Sequence, residues 1–201
     1  MKNITTTICL LFMFINCKAQ TLVFDISKNF GTENPTGAYY KDTQNLLNPF
    51  VGTFVYTNGT TSFKIELKKK EMSSVNGRYY EDLIVGAFKY VENGVQKVNT
   101  LGSLMLNQEN GWKYPIHGSL ILDGKELGCD ECTDTEKRLR ISISDDSADR
   151  IGKLDIRRII HNGQQAIKVD LWWDVDWRRR PTDPVIQPAR IPSGTYIMIK
   201  Q

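Results

Sequence analysis

Apolar and polar residues alternate along most of the chain, and helical periodicity is nearly absent. The alternation is interrupted by Asn-Gly and Asp-Gly pairs, which favour hairpins because both central residues of a type I′ turn need positive φ. The chain has six such pairs: Asn58-Gly59, Asn76-Gly77, Asn93-Gly94, Asn110-Gly111, Asp123-Gly124 and Asn162-Gly163. The first four recur every 17 or 18 residues, which is typical of an antiparallel meander.

Two of these turns predict a register with one apolar face. A two-residue turn at Asn58-Gly59 gives the pairs Phe54–Phe63, Gly52–Ile65 and Phe50–Leu67. A turn at Asn162-Gly163 gives Leu154–Leu171 and Ile156–Val169, and the same side continues through Trp173, Val175 and Trp177. A sheet buried on one side shows this pattern. We therefore predict an all-β fold, a single antiparallel meander of about nine or ten strands that closes as a lipocalin-like barrel or a β-sandwich.

The other face of the Asn162-Gly163 hairpin is charged. Like charges lie directly opposite each other in two pairs, but the diagonals Asp155–Lys168 and Arg157–Asp170 are complementary. We therefore expect this face to form a lattice of alternating charges.

The remaining segments predict short elements. Residues 22–26 read as one strand and residues 195–200 as the last one. A single helical turn is expected over 42–47, with Asp42 as its cap and Asn48-Pro49 ending it. The four prolines within 178–192 exclude a central strand there and predict a loop.

The first nineteen residues have the order of a signal segment: Lys2, an apolar run over 8–15, and then Cys17 and Ala19. The run is too short for a permanent membrane span. Cleavage after Ala19 would leave Gln20 as a free N-terminus, whereas lipoprotein processing would make Cys17 the lipidated first residue. Both alternatives predict an exported protein, located in the periplasm, on the outer membrane as a lipoprotein, or outside the cell.

Residues 20–201 have the length of a single domain. The leader holds two of the 26 basic residues and none of the 23 acidic ones, so the rest of the chain carries a net charge of +1. This balance indicates no nucleic-acid partner. Contact with a membrane is expected only through a lipid on Cys17.

Cys129 and Cys132 are the only cysteines after the leader. One C-x-x-C pair cannot complete a tetrahedral zinc site, and His117 and His161 are isolated in the sequence. The acidic flanks disfavour a reactive thiolate. We therefore expect a local disulfide, as an oxidising compartment allows, and neither a metal nor a cofactor.

Three segments carry a resemblance to a known family: PFVGTFVYTNG from Pro49, FKIELKKK from Phe63, and YEDLIVGAFKYVENGV from Tyr80. Together with the leader's CKAQ they resemble an uncharacterised family, a domain of unknown function in short exported proteins and lipoproteins of Bacteroidetes-type bacteria. The resemblance implies export and a β fold and brings no catalytic residues. Gly52-Thr-Phe54 also resembles the Gly-x-Trp start of lipocalins, with Phe in place of Trp.

The densest chemical feature is the aromatic and acidic strand over 170–177. Trp172 is flanked on the polar face by Asp170 and Asp174, an arrangement that can stack a sugar ring or a cationic group. The structural alternative is that Trp172 simply covers Lys153 across the hairpin. His117 in turn either lines a pocket mouth or is structural.

We expect a non-enzymatic envelope protein that holds a small or apolar ligand inside its barrel, provided that side chains leave the interior free. A surface interaction or glycan-binding module using the Trp172 face is the alternative. A hydrolase using the paired carboxylates of Asp174 and Asp176 is the remote one. The sequence indicates no catalytic residue outside that pair.

Overall fold

The computed structural model describes residues 21–27, 34–174 and 188–201. Of these residues 57% lie in strands, and none lies in an α-helix. The strands are β1 (Val23–Asp25), β2 (Tyr39–Lys41), β3 (Gly52–Asn58), β4 (Thr61–Val75), β5 (Tyr79–Glu92), β6 (Val95–Asn99), β7 (Ile116–Asp123), β8 (Lys137–Asp145), β9 (Arg150–His161), β10 (Gln164–Trp173) and β11 (Gly194–Lys200). Short 3-10 helices span Asn48–Phe50, Leu101–Met105, Gly111–Lys113 and Asp146–Ala148. The described ranges contain no helix of the length and apolarity that a membrane crossing needs.

Eight strands form a closed antiparallel barrel in the order β5-β4-β3-β11-β10-β9-β8-β7. The ring closes because β5 pairs with β4 on one side and with β7 on the other. Beyond the ring, β2 joins β5 in parallel and β1 joins β2 in parallel, while β6 pairs with the last residues of β5.

The predicted all-β fold is confirmed, and it is a barrel, not a sandwich. The eleven strands exceed the predicted count, and the parallel β1 and β2 depart from a purely antiparallel meander. The physical reason is the length of the β4–β5 hairpin. It extends past the ring, so the exposed edge of β5 is available for β2 to cover.

Hairpin loops lie at four of the six glycine signals, but the one at Asn58-Gly59 is displaced by one residue. Asn93-Gly94 and Asn162-Gly163 are two-residue turns with positive φ at both residues. Asn76-Gly77 lies in the loop between β4 and β5. In contrast, Asn110-Gly111 begins a 3-10 helix and Asp123-Gly124 begins a long connection to β8, so neither forms a tight hairpin.

The predicted register of the β3–β4 hairpin is wrong by two residues. Phe54 lies opposite Ile65 and Gly52 opposite Leu67, because Asn58 pairs with Thr61 and remains in the strand. Gly59 then takes the first central turn position with φ 58°, the place of glycine in a type II′ turn. A shift of two residues leaves each side chain on its own face, so the predicted apolar face is buried as expected.

The register of the β9–β10 hairpin is confirmed. Leu154 pairs with Leu171 and Ile156 with Val169, and all four side chains are buried. Val175, Asp176 and Trp177 lie outside the described residues.

The barrel interior is a packed core. One cluster of 23 buried hydrophobic residues spans it. At its centre Phe63 packs edge-to-face against Phe88, Tyr90 and Tyr196, with ring centroids 6.4, 6.1 and 5.1 Å away. In the described part of the chain, these side chains therefore occupy the place that we expected a ligand to take.

One end of the barrel is sealed by the chain between β2 and β3. The carboxylate of Asp42 accepts hydrogen bonds from the Leu46 and Leu47 N–H groups, at 2.7 and 3.1 Å. It also forms an ion pair with Lys69 at 3.0 Å. Asp42 thus caps this turn as predicted, but the turn is not helical. The short 3-10 helix begins at Asn48, with Pro49 in its first turn, and it inserts Phe50 into the core.

Candidate functional site

A cleft of about 430 Å³ opens on the outer wall of the barrel, beside β5, β7, β8 and β9. We call it the Trp112 cleft. Apart from Trp112, which belongs to the 3-10 helix Gly111–Lys113, the residues that shape its lining come from strand positions that alternate with core residues and therefore point outward. These residues are Glu81, His117, Ser119, Arg140, Ser142 and Lys153.

The local sequence Asn110-Gly111 places Trp112 over this wall. The side chain of Asn110 accepts a hydrogen bond from the Trp112 N–H at 2.9 Å and so begins the 3-10 helix. Gly111 is buried, and its N–H donates to Ser73 Oγ at 2.7 Å. A Cβ at position 111 would lie 3.0 Å from Ser73 and from Leu83. Glycine therefore allows the close approach that brings Trp112 onto the barrel.

The indole of Trp112 is fixed on two sides although 44% of the residue is exposed. Its Nε1–H donates to the carboxylate of Glu81. Its ring lies against the imidazole of His117, with centroids 5.0 Å apart and planes inclined by 48°. The indole is thus held in one orientation with one part of its surface open to solvent.

Glu81 is a buried carboxylate beneath this indole, with 1% of the residue exposed. Burial raises its pKa, whereas the hydrogen bonds from Trp112 and from Ser119 Oγ, the latter at 3.4 Å, oppose that rise. Each carboxylate oxygen accepts one of these two bonds. The side chain therefore acts as a support for Trp112, since its oxygens are engaged within the protein.

His117 offers a hydrogen-bond acceptor to the cleft. Burial lowers the pKa of His117 below its usual 6.5, which favours the neutral ring at pH 7. Nδ1 lies 2.8 Å from the carbonyl oxygen of Tyr114, and a carbonyl can only accept, so Nδ1 carries the proton. The unprotonated Nε2 then retains a lone pair for a donor.

The opposite wall carries two cations in different situations. Lys153 donates to Ser142 Oγ at 3.0 Å and has no carboxylate partner among the described residues. Arg140 pairs with Asp155 at 2.6 Å, and its guanidinium lies 5.1 Å from the ring centroid of Trp172. Lys153 is therefore the cation of this wall whose charge a ligand can approach without displacing a carboxylate.

The three predicted binding residues share the outward side of β10 and its end, and each has a different neighbour. Trp172 is 36% exposed, lies opposite Lys153 in the register and carries Arg140 on its ring. Asp170 accepts a hydrogen bond from Thr195. Asp174 is exposed at the end of β10, and its predicted catalytic companion Asp176 lies outside the described residues.

The predicted charge lattice is replaced by pairs with other elements. Asp155 pairs with Arg138 and Arg140 on β8, not with Lys168. Glu131, in the connection before β8, pairs with both Arg157 and Lys168.

The same connection contains Cys129 and Cys132, which the structure joins in a disulfide with their Cα atoms 5.4 Å apart. A cavity of about 370 Å³ between this loop and the outer wall is lined mainly by charged residues that pair with one another. In the part of the chain that the structure covers, no group of three or more His, Cys, Asp or Glu residues is placed to hold a metal ion.

Sequence reasoning missed Trp112 and Glu81 as site residues and named His117 only as one that could line a pocket. The local signal for Trp112 was present in Asn110-Gly111, but that pair reads as a hairpin turn. Glu81 is 31 residues away in sequence, and only the pairing of β5 with β7 brings its strand under the cleft.

Comparison with known proteins identifies one family. A family model described as a family of unknown function (DUF6705) matches residues 1–201. No curated protein and no solved structure matches the chain. The evidence for what the molecule does is therefore its own geometry.

Proposed function

Because the chain belongs to DUF6705, a family of unknown function, we propose a function from its structure: a non-enzymatic module that binds a small polyhydroxylated ligand, such as a sugar unit, in the Trp112 cleft. The observation that carries this proposal is the indole of Trp112, which is exposed and yet immobilised by Glu81 and His117. An aromatic ring that is already oriented loses little conformational freedom when a ligand stacks on it.

The groups around the indole suit the hydroxyls of such a ligand. Lys153 and Ser142 supply donors on one wall, and His117 Nε2 supplies an acceptor on the other. The apolar face of a sugar ring can lie on the indole while its hydroxyls reach these groups. Trp172 is less suited to stacking because Arg140 already lies on its ring.

The test is a titration of the purified protein with a set of monosaccharides and oligosaccharides, in which isothermal titration calorimetry measures the dissociation constant. Trp112→Ala should weaken binding about tenfold or more, as the loss of an aromatic contact of roughly 1.5 kcal/mol predicts. Trp172→Ala is the matched control, since it removes the other exposed indole and should leave the dissociation constant within about twofold. Unchanged affinity in Trp112→Ala, or a loss only in Trp172→Ala, contradicts the proposal.

We also propose that the protein acts outside the cytoplasm, as a secreted protein, a periplasmic protein or an outer-membrane lipoprotein of a Bacteroidetes-type bacterium. The order of residues in the leader supports this, and the disulfide between Cys129 and Cys132 fits an oxidising compartment. Protein isolated from its own host without reductant should resist alkylation at both cysteines. Two free thiols in that sample would argue for a reducing compartment.

A further inference from the structure

A second cleft, of about 480 Å³, lies at the end of the barrel where β3 begins and β9 and β11 end. It is separate from the Trp112 cleft and shares no lining residue with it. Its lining is mixed: apolar residues form the floor and part of the walls, and Gln165 and two basic side chains contribute polar surface. The residues that matter are Pro49, Phe54, Arg158, Ile160, Ile167 and Lys200.

Each of the two basic side chains lies near an aromatic ring and not near a carboxylate. The guanidinium of Arg158 lies 5.7 Å from the ring centroid of Phe50, and Lys200 Nζ lies 5.9 Å from that of Phe54. Both rings are buried in the core, whereas Arg158 and Lys200 are exposed at the mouth of the cleft, each within about 6 Å of a ring centroid. Within the described residues neither Arg158 nor Lys200 forms an ion pair, and no acidic residue lines the cleft. Two positive charges are therefore left for an external anion.

The apolar part of this cleft is exposed as well. Ile160, close to the tip of the β9–β10 hairpin, is 70% exposed, and Pro49 beside the cleft is also exposed. A large exposed aliphatic side chain beside uncompensated cations matches a ligand that has an apolar chain and an anionic group.

We propose that this barrel-end cleft binds a single-chain anionic amphiphile, a fatty-acid carboxylate whose head group pairs with Arg158 and Lys200. Its hydrocarbon chain covers the exposed Ile160 and Pro49 at the cleft wall. The carboxylate forms charge-assisted hydrogen bonds with the two basic residues, and the hydrocarbon chain removes exposed apolar surface from water. The site is independent of the proposed sugar site, so either can exist without the other.

The experiment is calorimetric titration of the purified protein with dodecanoate below its critical micelle concentration. One ligand per chain is expected. Arg158→Gln and Lys200→Gln should each weaken binding about tenfold, because each removes one charge-assisted contact. Lys125→Gln is the matched control, since Lys125 is exposed and lines neither cleft, and it should bind as the parent does.

Two further arms identify the chemistry of the ligand. Dodecanol, which has the chain but no charge, should bind at least about tenfold more weakly than dodecanoate. Vesicles of phosphatidylglycerol and of phosphatidylcholine test whether the cleft instead meets a membrane surface. The proposal is overturned if the parent and a variant carrying both Arg158→Gln and Lys200→Gln bind dodecanoate with equal affinity. It is also overturned if the protein binds anionic vesicles but not monomeric dodecanoate. Circular dichroism of each variant excludes misfolding as the cause of a loss.

Discussion

A glycine lies at the seam where the barrel closes. Gly86 lies on β5 at the point where that strand pairs with β4 through Leu67 and with β7 through Ile116. A Cβ at this position would lie 2.6 Å from the carbonyl oxygen of Glu66 and 2.7 Å from Leu67 Cδ2. The Leu67 side chain can rotate, but the Glu66 carbonyl belongs to the backbone of the neighbouring strand. Gly86→Ala should therefore push β4 and β5 apart.

The magnitude follows from two opposing effects. Overpacking of a well-packed site costs about 1–3 kcal/mol. Alanine is favoured over glycine in a strand by roughly 0.5–1 kcal/mol, which offsets part of that cost. The difference of the two ranges is about 0–2.5 kcal/mol. Because one contact is with a backbone atom that cannot rotate away, the net loss in the free energy of unfolding should lie in the upper part, about 1–2 kcal/mol. For a domain of this size it corresponds to a fall in Tm of about 2–8 °C.

Urea and thermal unfolding followed by far-ultraviolet circular dichroism measure this loss. Gly102→Ala is the control, because a Cβ there meets no atom within 4 Å and the backbone is not left-handed. It should be neutral or slightly stabilising. If Gly86→Ala is as stable as the parent, the prediction is wrong: the strands β4 and β7 then leave room for a side chain at this position of β5.

Three further predictions concern charge and processing. Burial raises the pKa of Glu81 above its usual 4.5, so its contribution to stability is present below pH 4.5 and is lost as the pH rises through the raised pKa. Urea unfolding from pH 4 to 7 should therefore show that the parent loses stability relative to Glu81→Gln. Parallel curves of stability against pH would contradict this. Arg190→Ala leaves the buried carboxylate of Asp145 without its main partner and should cost about 3 kcal/mol by the same assay, whereas no loss would show that the pair is not structural. The intact mass of protein from its host's envelope should show either a chain beginning at Gln20 or a diacyl or triacyl addition on Cys17, and an unprocessed chain would contradict export.

The candidate site shows where sequence reasoning ends. Trp172 stood out because it is flanked by acidic residues in sequence, yet the structure gives its ring a partner from β8, Arg140. Trp112 had no such sequence context. Its importance comes from His117, close to it in the chain, and from Glu81 on β5, which lies beneath it only because β5 pairs with β7. Contacts between distant segments leave no periodic signal in one sequence.

The sequence by itself determined the strand character of the chain and the faces that are buried. Side-chain direction alternates with a period of two, so the buried face of β3 and β4 was correct even though their register was wrong by two residues. Only the tertiary structure decided that the sheet closes at β5 and β7, that side chains fill its interior, and that the clefts lie on its outer wall and at its end. These features depend on which strands meet across the barrel. Local turn and face preferences do not specify that choice, because it rests on the packing of segments far apart in the chain.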